Sequence, residues 1–107
     1  MVVIKENTNL IDNSKYVDFY TVFEFPYSIN DYSFKSEIRD EKKNLIATFV
    51  IDINEPTRQI SLSLSVSQKT NVVDDKKYKY DIIETNASNK KRQVAKGYYI
   101  IETGISR

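Results

Sequence analysis

The chain has 107 residues, which fits one domain, with 40% apolar and 29% charged residues, a globular balance outside the range of disorder. It contains no cysteine and no histidine, which removes disulfides, thiolate chemistry, Ser–His and Cys–His nucleophile pairs and His-based zinc sites. Sixteen basic and fifteen acidic residues leave a net charge of +1 with the signs interspersed, so the basic excess of a nucleic-acid binder is missing.

The first ten residues lack a long apolar run after a basic start, so no secretion signal is expected. No stretch approaches the apolar length of a membrane span, and no membrane partner is expected. Val2 to Lys5 is a weak edge-strand candidate, and residues 1–14 as a whole read as an arm or edge strand ahead of a domain spanning 15–107. Val2, Val3 and Ile4, with Leu10 and Ile11 further on, suit a segment that docks by adding a strand to a neighbour.

Tyr16 to Phe25 is rich in aromatic and β-branched residues and stops at Pro26, which cannot donate to a ladder. Tyr32, Phe34, Ser36 and Ile38 alternate with Ser33, Lys35, Glu37 and Arg39, a period of two that predicts a strand. Asp40 to Asn44 reads as a charged hairpin loop. Leu45, Ala47, Phe49, Ile51 and Ile53 then alternate as one strand, closed by a turn at Asn54 to Thr57. The clearest signal is Gln59 to Ser67, where Ile60, Leu62, Leu64 and Val66 alternate with four serines. Gln68 to Asp75 can hold a helical turn with Ser67 as N-cap. Tyr78, Tyr80 and Ile82 alternate with Lys77, Lys79 and Asp81; after a polar turn at Asn86 to Lys91, Tyr98 to Thr103 is a last apolar run.

About seven short strands at this spacing predict an all-β, antiparallel two-sheet sandwich. Alternation places Ile60, Leu62, Leu64, Phe34, Ile38, Phe49, Tyr80 and Ile82 inside. With two glycines and two prolines, the turns must be closed by Asn, Asp and Ser. Asp74 and Asp75 read as solvated turn acids, and Lys90, Lys91 and Arg92 as a solvated hairpin tip. No Gly-rich phosphate loop or calcium-loop spacing is present, so neither cofactor nor metal is expected, and no catalytic residues. The eight tyrosines are the feature suited to recognition: Tyr32, Tyr78 and Tyr80 fall on apolar faces, leaving Tyr16, Tyr20, Tyr27 and Tyr98 as interface candidates.

Three segments in order carry a resemblance. Ile29 to Arg39 is similar to a pattern Leu-Thr-Gly-Tyr-Thr-Phe-Arg-Ala-x-Ile-Arg, with Asp31 where glycine is usual. Gln59 to Leu64, Gln68-Lys69-Thr70 and Tyr78 to Ile82 resemble a strand, a Thr-containing turn and a Tyr-x-Tyr-Asp-Leu strand. Gly97 to Ile101 with Ile105-Ser106-Arg107 resembles a closing Gly-x-Val-x-Val strand ending Val-Thr-Arg. Together, over about four-fifths of the chain, these resemble small immunoglobulin-like β-sandwich domains of tailed-bacteriophage virion proteins. The resemblance implies structural roles for Tyr32, Phe34, Ile38, Leu62, Leu64, Tyr80, Asp81 and Gly97, and no catalytic ones. Asp81 would accept backbone N–H bonds from a neighbouring loop, and Gly97 would permit close approach or a positive φ. It further implies an assembly or adaptor module of tail, baseplate or fibre attachment. Its partners would be other phage structural proteins and further copies of itself, a trimer among the options, and it would reside in the virion and, during assembly, in the host cytoplasm. The alternatives are a head-decoration protein and a carbohydrate-binding module for host attachment.

Overall fold

The computed structural model describes the backbone of residues 2–3 and the whole of residues 7–102. Nine strands run through them: β1 Val2–Val3, β2 Leu10–Asp12, β3 Phe19–Glu24, β4 Ser33–Arg39, β5 Leu45–Thr48, β6 Val50–Asn54, β7 Gln59–Leu64, β8 Tyr78–Thr85 and β9 Lys91–Ile101. They form two sheets, one ordered β1-β3-β7-β6 and the other β2-β9-β8-β4-β5. No α-helix occurs among the described residues; a single 3₁₀ turn, Val66–Lys69, follows β7. The fold is all-β with two sheets, as the alternation required.

The core lies between the sheets. Ile60, Leu62 and Leu64 of β7, Ile38 of β4, and Tyr80 and Ile82 of β8 are buried, as is Phe49; Phe34 is half-buried, its ring 5.1 Å from that of Phe25. Phe49 is central, with ring centroids 6.1 Å from Phe19, 6.3 Å from Tyr80 and 5.9 Å from Tyr99. Such offset and edge-on aromatic contacts add to area burial.

Four expectations need correction. The run from Leu45 to Ile53 is two strands in different sheets, because the chain crosses at Phe49, whose N–H donates to the Ser36 carbonyl at 3.0 Å. A strand that changes sheets still faces the same core, so the alternation carries no mark of the crossing. Leu45 is exposed because a bulge at Ile38/Arg39 sets it opposite Arg39 on the outer face, and Ile53 lies exposed near the end of edge strand β6. Val66 is exposed as well, since β7 ends at Leu64: the Ser65 N–H donates to Gln68 Oε1 at 2.9 Å and the Val66 N–H to Asp18 Oδ1 at 3.0 Å, which makes Ser65 the N-cap instead of Ser67. Finally, the sheets are not wholly antiparallel. β1 pairs parallel with β3, and β2 parallel with β9.

Those parallel pairs place the N-terminal segment on the edges of both sheets of its own domain. Parallel neighbours need long connections, and both pairs have them. Ile4, Thr103 and the Ile105-Ser106-Arg107 part of the third motif lie outside the described residues, as do the side chains of Val2 and Val3.

The turns use the residues expected. Asp31, Asp75 and Asn89 adopt positive φ (64°, 62° and 63°) in place of glycine, joined by Lys43 and Arg58. Asp40 Oδ1 accepts the N–H groups of Lys42 and Asn44, both at 2.9 Å, and these bonds hold its carboxyl below the usual range. Asn86 Oδ1 does the same for Ser88 and Lys90.

Candidate interaction surfaces

Strand alternation gives each sheet an outer face. On the first sheet, Tyr20, Val22 and Glu24 of β3 lie opposite Ser63, Ser61 and Gln59 of β7, which in turn lie opposite Val50, Asp52 and Asn54 of β6. The serines are a low floor between taller neighbours, and a shallow groove lined by Tyr20, Val22, Asp52, Glu55 and Ser61 runs over it. On the second sheet the outward residues include Lys35, Glu37 and Arg39 of β4, Lys79 and Asp81 of β8, and Lys91, Lys96 and Tyr98 of β9. Glu37 is bracketed by Lys35 at 3.5 Å and Arg39 at 2.8 Å, and the Arg39 guanidinium pulls its carboxyl below the usual range.

Tyr20, at 66% exposure, sits on the first outer face, and Tyr98, at 42%, on the second, with Lys77 Nζ 5.4 Å from its ring centre. Tyr16, at 80%, stands apart between β2 and β3. The candidate tyrosines are therefore not gathered into one site. Tyr27 is no free recognition ring: it is half-buried, its hydroxyl donates to Glu84 Oε1 at 2.6 Å and accepts from Arg92 at 2.8 Å, and burial together with Glu84 pushes its pKa up to about 12. Arg92 also meets buried Glu84 at 3.2 Å, so it joins this triad while its own side chain stays largely exposed. Tyr32 is partly buried against the core, and Tyr78 is buried.

Among the described residues no loop N–H reaches Asp81. Its carboxylate lies on the outer face, where the Gln93 amide reaches it at 3.4 Å. Gly97 meets one of its two expectations: its φ is not positive, but a Cβ there would stand 2.1 Å from the Thr8 carbonyl oxygen. The N-terminal segment is clamped at this point. Thr8 N–H donates to Lys96 O at 2.9 Å, Tyr98 N–H to Asn9 Oδ1 at 3.0 Å, and the Tyr80 hydroxyl to Thr8 O at 2.5 Å. Gly97→Ala should therefore cost about 1–3 kcal/mol, the range for overpacking, and loosen the segment before residue 10. Urea denaturation with limited proteolysis checks this; a loss within the surface-substitution range of about 0.5 kcal/mol would contradict it.

One cluster escapes sequence reading altogether. Lys69, fully buried, places Nζ 2.6 Å from Asp12 Oδ2 and donates to the carbonyls of Ser14 at 2.8 Å and Val17. The Tyr99 hydroxyl donates to the same Asp12 oxygen at 2.5 Å, and Ser14 N–H reaches Oδ1 at 3.2 Å. Burial, then Asp12, drive the Tyr99 phenol above its ordinary pKa, and burial does the same to Tyr80. All three ammonium protons have acceptors, so the cluster fastens β2 to the 3₁₀ turn and β9 and offers no free nucleophile.

Among the described residues no group of three or more Asp or Glu could hold a metal ion. No helix there is long and apolar enough to cross a membrane. No protein-family model matches the sequence, and neither does any curated protein.

Proposed function

We propose that this chain is a structural, non-catalytic module of a tailed-phage virion, built on an immunoglobulin-like sandwich and acting in tail, baseplate or fibre attachment. The observation that carries the fold half is the strand order. Lettered in chain order as A, A′, B, C, C′, D, E, F and G, the sheets read A-B-E-D and A′-G-F-C-C′, an order that supports reading the fold as a variable-type immunoglobulin domain without C″. A second mark agrees: the Tyr78 hydroxyl, at the start of strand F, accepts the Val73 N–H at 2.9 Å, the bond of a tyrosine corner. The parallel β1–β3 pair departs from this pattern.

The virion half rests on the three ordered motifs, since a fold hosts many functions. The absence of His and Cys and the balanced charge fit a protein that works by contact. Its partners would be other particle proteins and copies of itself. Blocking its expression during infection should give filled heads with defective tails or fibres under the electron microscope. Intact tails on fragile capsids would favour head decoration instead, and normal, infectious particles would end the proposal.

A further inference from the structure

The near-zero net charge hides a division between the two outer faces. None of the outward residues of β3, β7 and β6 is a cation, while Glu24 and Asp52 are carboxylates and Glu55 lines the same groove. The outward residues of β4, β8 and β9 include the cations Lys35, Arg39, Lys79, Lys91 and Lys96 against the carboxylates Glu37 and Asp81. Glu37 is already occupied by Lys35 and Arg39. Lys96 stands opposite Asp81 across the β8–β9 ladder yet forms no ion pair with it, and neither does Lys79. Between these two cations, which have no ion pair among the described residues, stands the half-exposed ring of Tyr98, and all three line a shallow hollow on this face.

We infer that the basic face of the second sheet docks onto the acidic groove of the first sheet in another copy of this chain. This rests on the assembly reading and names its partner and surfaces. Tyr98 is the knob; the serine floor flanked by Tyr20, Val22 and Asp52 is the hole. Lys79 and Lys96 then face Asp52 and Glu24. A tyrosine set into a pocket and ringed by opposite charges is a common anchor of protein contacts. The two faces lie on opposite sides of the sandwich, so the contact is head-to-tail. It closes into a ring or extends as a stack, and cannot stop at a two-fold dimer.

Sedimentation velocity on the purified chain tests this. At low salt the mean mass should rise with concentration, and it should fall in about 1 M salt, where the screening length is about 3 Å. Asp52→Lys spoils only the groove face and Tyr98→Ala only the knob face, and each should weaken self-association at least about tenfold. Both positions are exposed, and unchanged circular dichroism would show that the variants fold. Mixed in equal amounts, the two variants keep one intact groove and one intact knob between them, so they should form a 1:1 dimer that grows no further. Wild-type protein that stays monomeric at millimolar concentration in low salt overturns the inference. So does association indifferent to both substitutions, or a mixture that fails to pair. Stacking that persists in a chain absent from virions would sink the virion reading and leave this one standing.

Discussion

Asp12→Ala should destabilise the domain by about 3–5 kcal/mol, the cost of breaking a buried ion pair from one side. The alanine leaves the Lys69 ammonium fully buried, with only the Ser14 and Val17 carbonyls for partners. It also takes the acceptor from the buried Tyr99 hydroxyl and from Ser14 N–H. Much of a marginal total of about 5–15 kcal/mol would be lost. The double variant Asp12→Leu with Lys69→Met should recover part of that loss, because two apolar side chains leave no orphaned charge, while the Tyr99 hydroxyl and Ser14 N–H still lack their acceptor. Urea denaturation of wild type, Asp12→Leu, Lys69→Met and the double variant gives the coupling directly. Strictly additive losses would mean that the pair is not the fastening described.

Leu64→Ala should cost about 2–5 kcal/mol, the range for truncating a buried leucine. Leu64 is fully buried at the end of β7, opposite Phe19, whose ring meets those of Phe49 and Tyr99 at 6.1 and 5.7 Å. The cavity would open beside this aromatic group, whose rings also touch both sheets and cannot all shift inward. Neither disulfide nor histidine-held metal is there to offset the loss. A change in denaturation midpoint corresponding to less than about 0.5 kcal/mol, typical of surface sites, would place Leu64 outside the core.

The strands whose two faces differ cleanly in polarity were legible, even where one partner is distant in the chain. In Gln59 to Leu64, serine and aliphatic residues alternate without a break, and the buried set follows at once. The same holds for Tyr78, Tyr80 and Ile82. What failed was anything that depends on partners distant in sequence. Lys69 follows a serine-rich strand in a polar stretch, where lysine is ordinarily solvated; only its meeting with Asp12, far away in the chain, allows it inside. Tyr27 looked free because Glu84 and Arg92 reach it from β8 and β9. Leu10 to Asp12 is too short to announce a strand, so the N-terminal segment read as an arm or edge strand ahead of the domain. Its burial of Leu10 and Asp12 means that deleting residues 1–13 removes part of the core. The charge division between the faces was equally hidden, since the signs mix along the chain and separate only once the sheets form.

The central claim is that this chain is a building part of a phage particle. Quantitative mass spectrometry of purified, salt-washed virions tests it most directly. The account predicts peptides of this chain at a fixed copy number, in step with the tail proteins and retained when heads are removed. Particles that are complete and infectious yet contain none of it would contradict the claim.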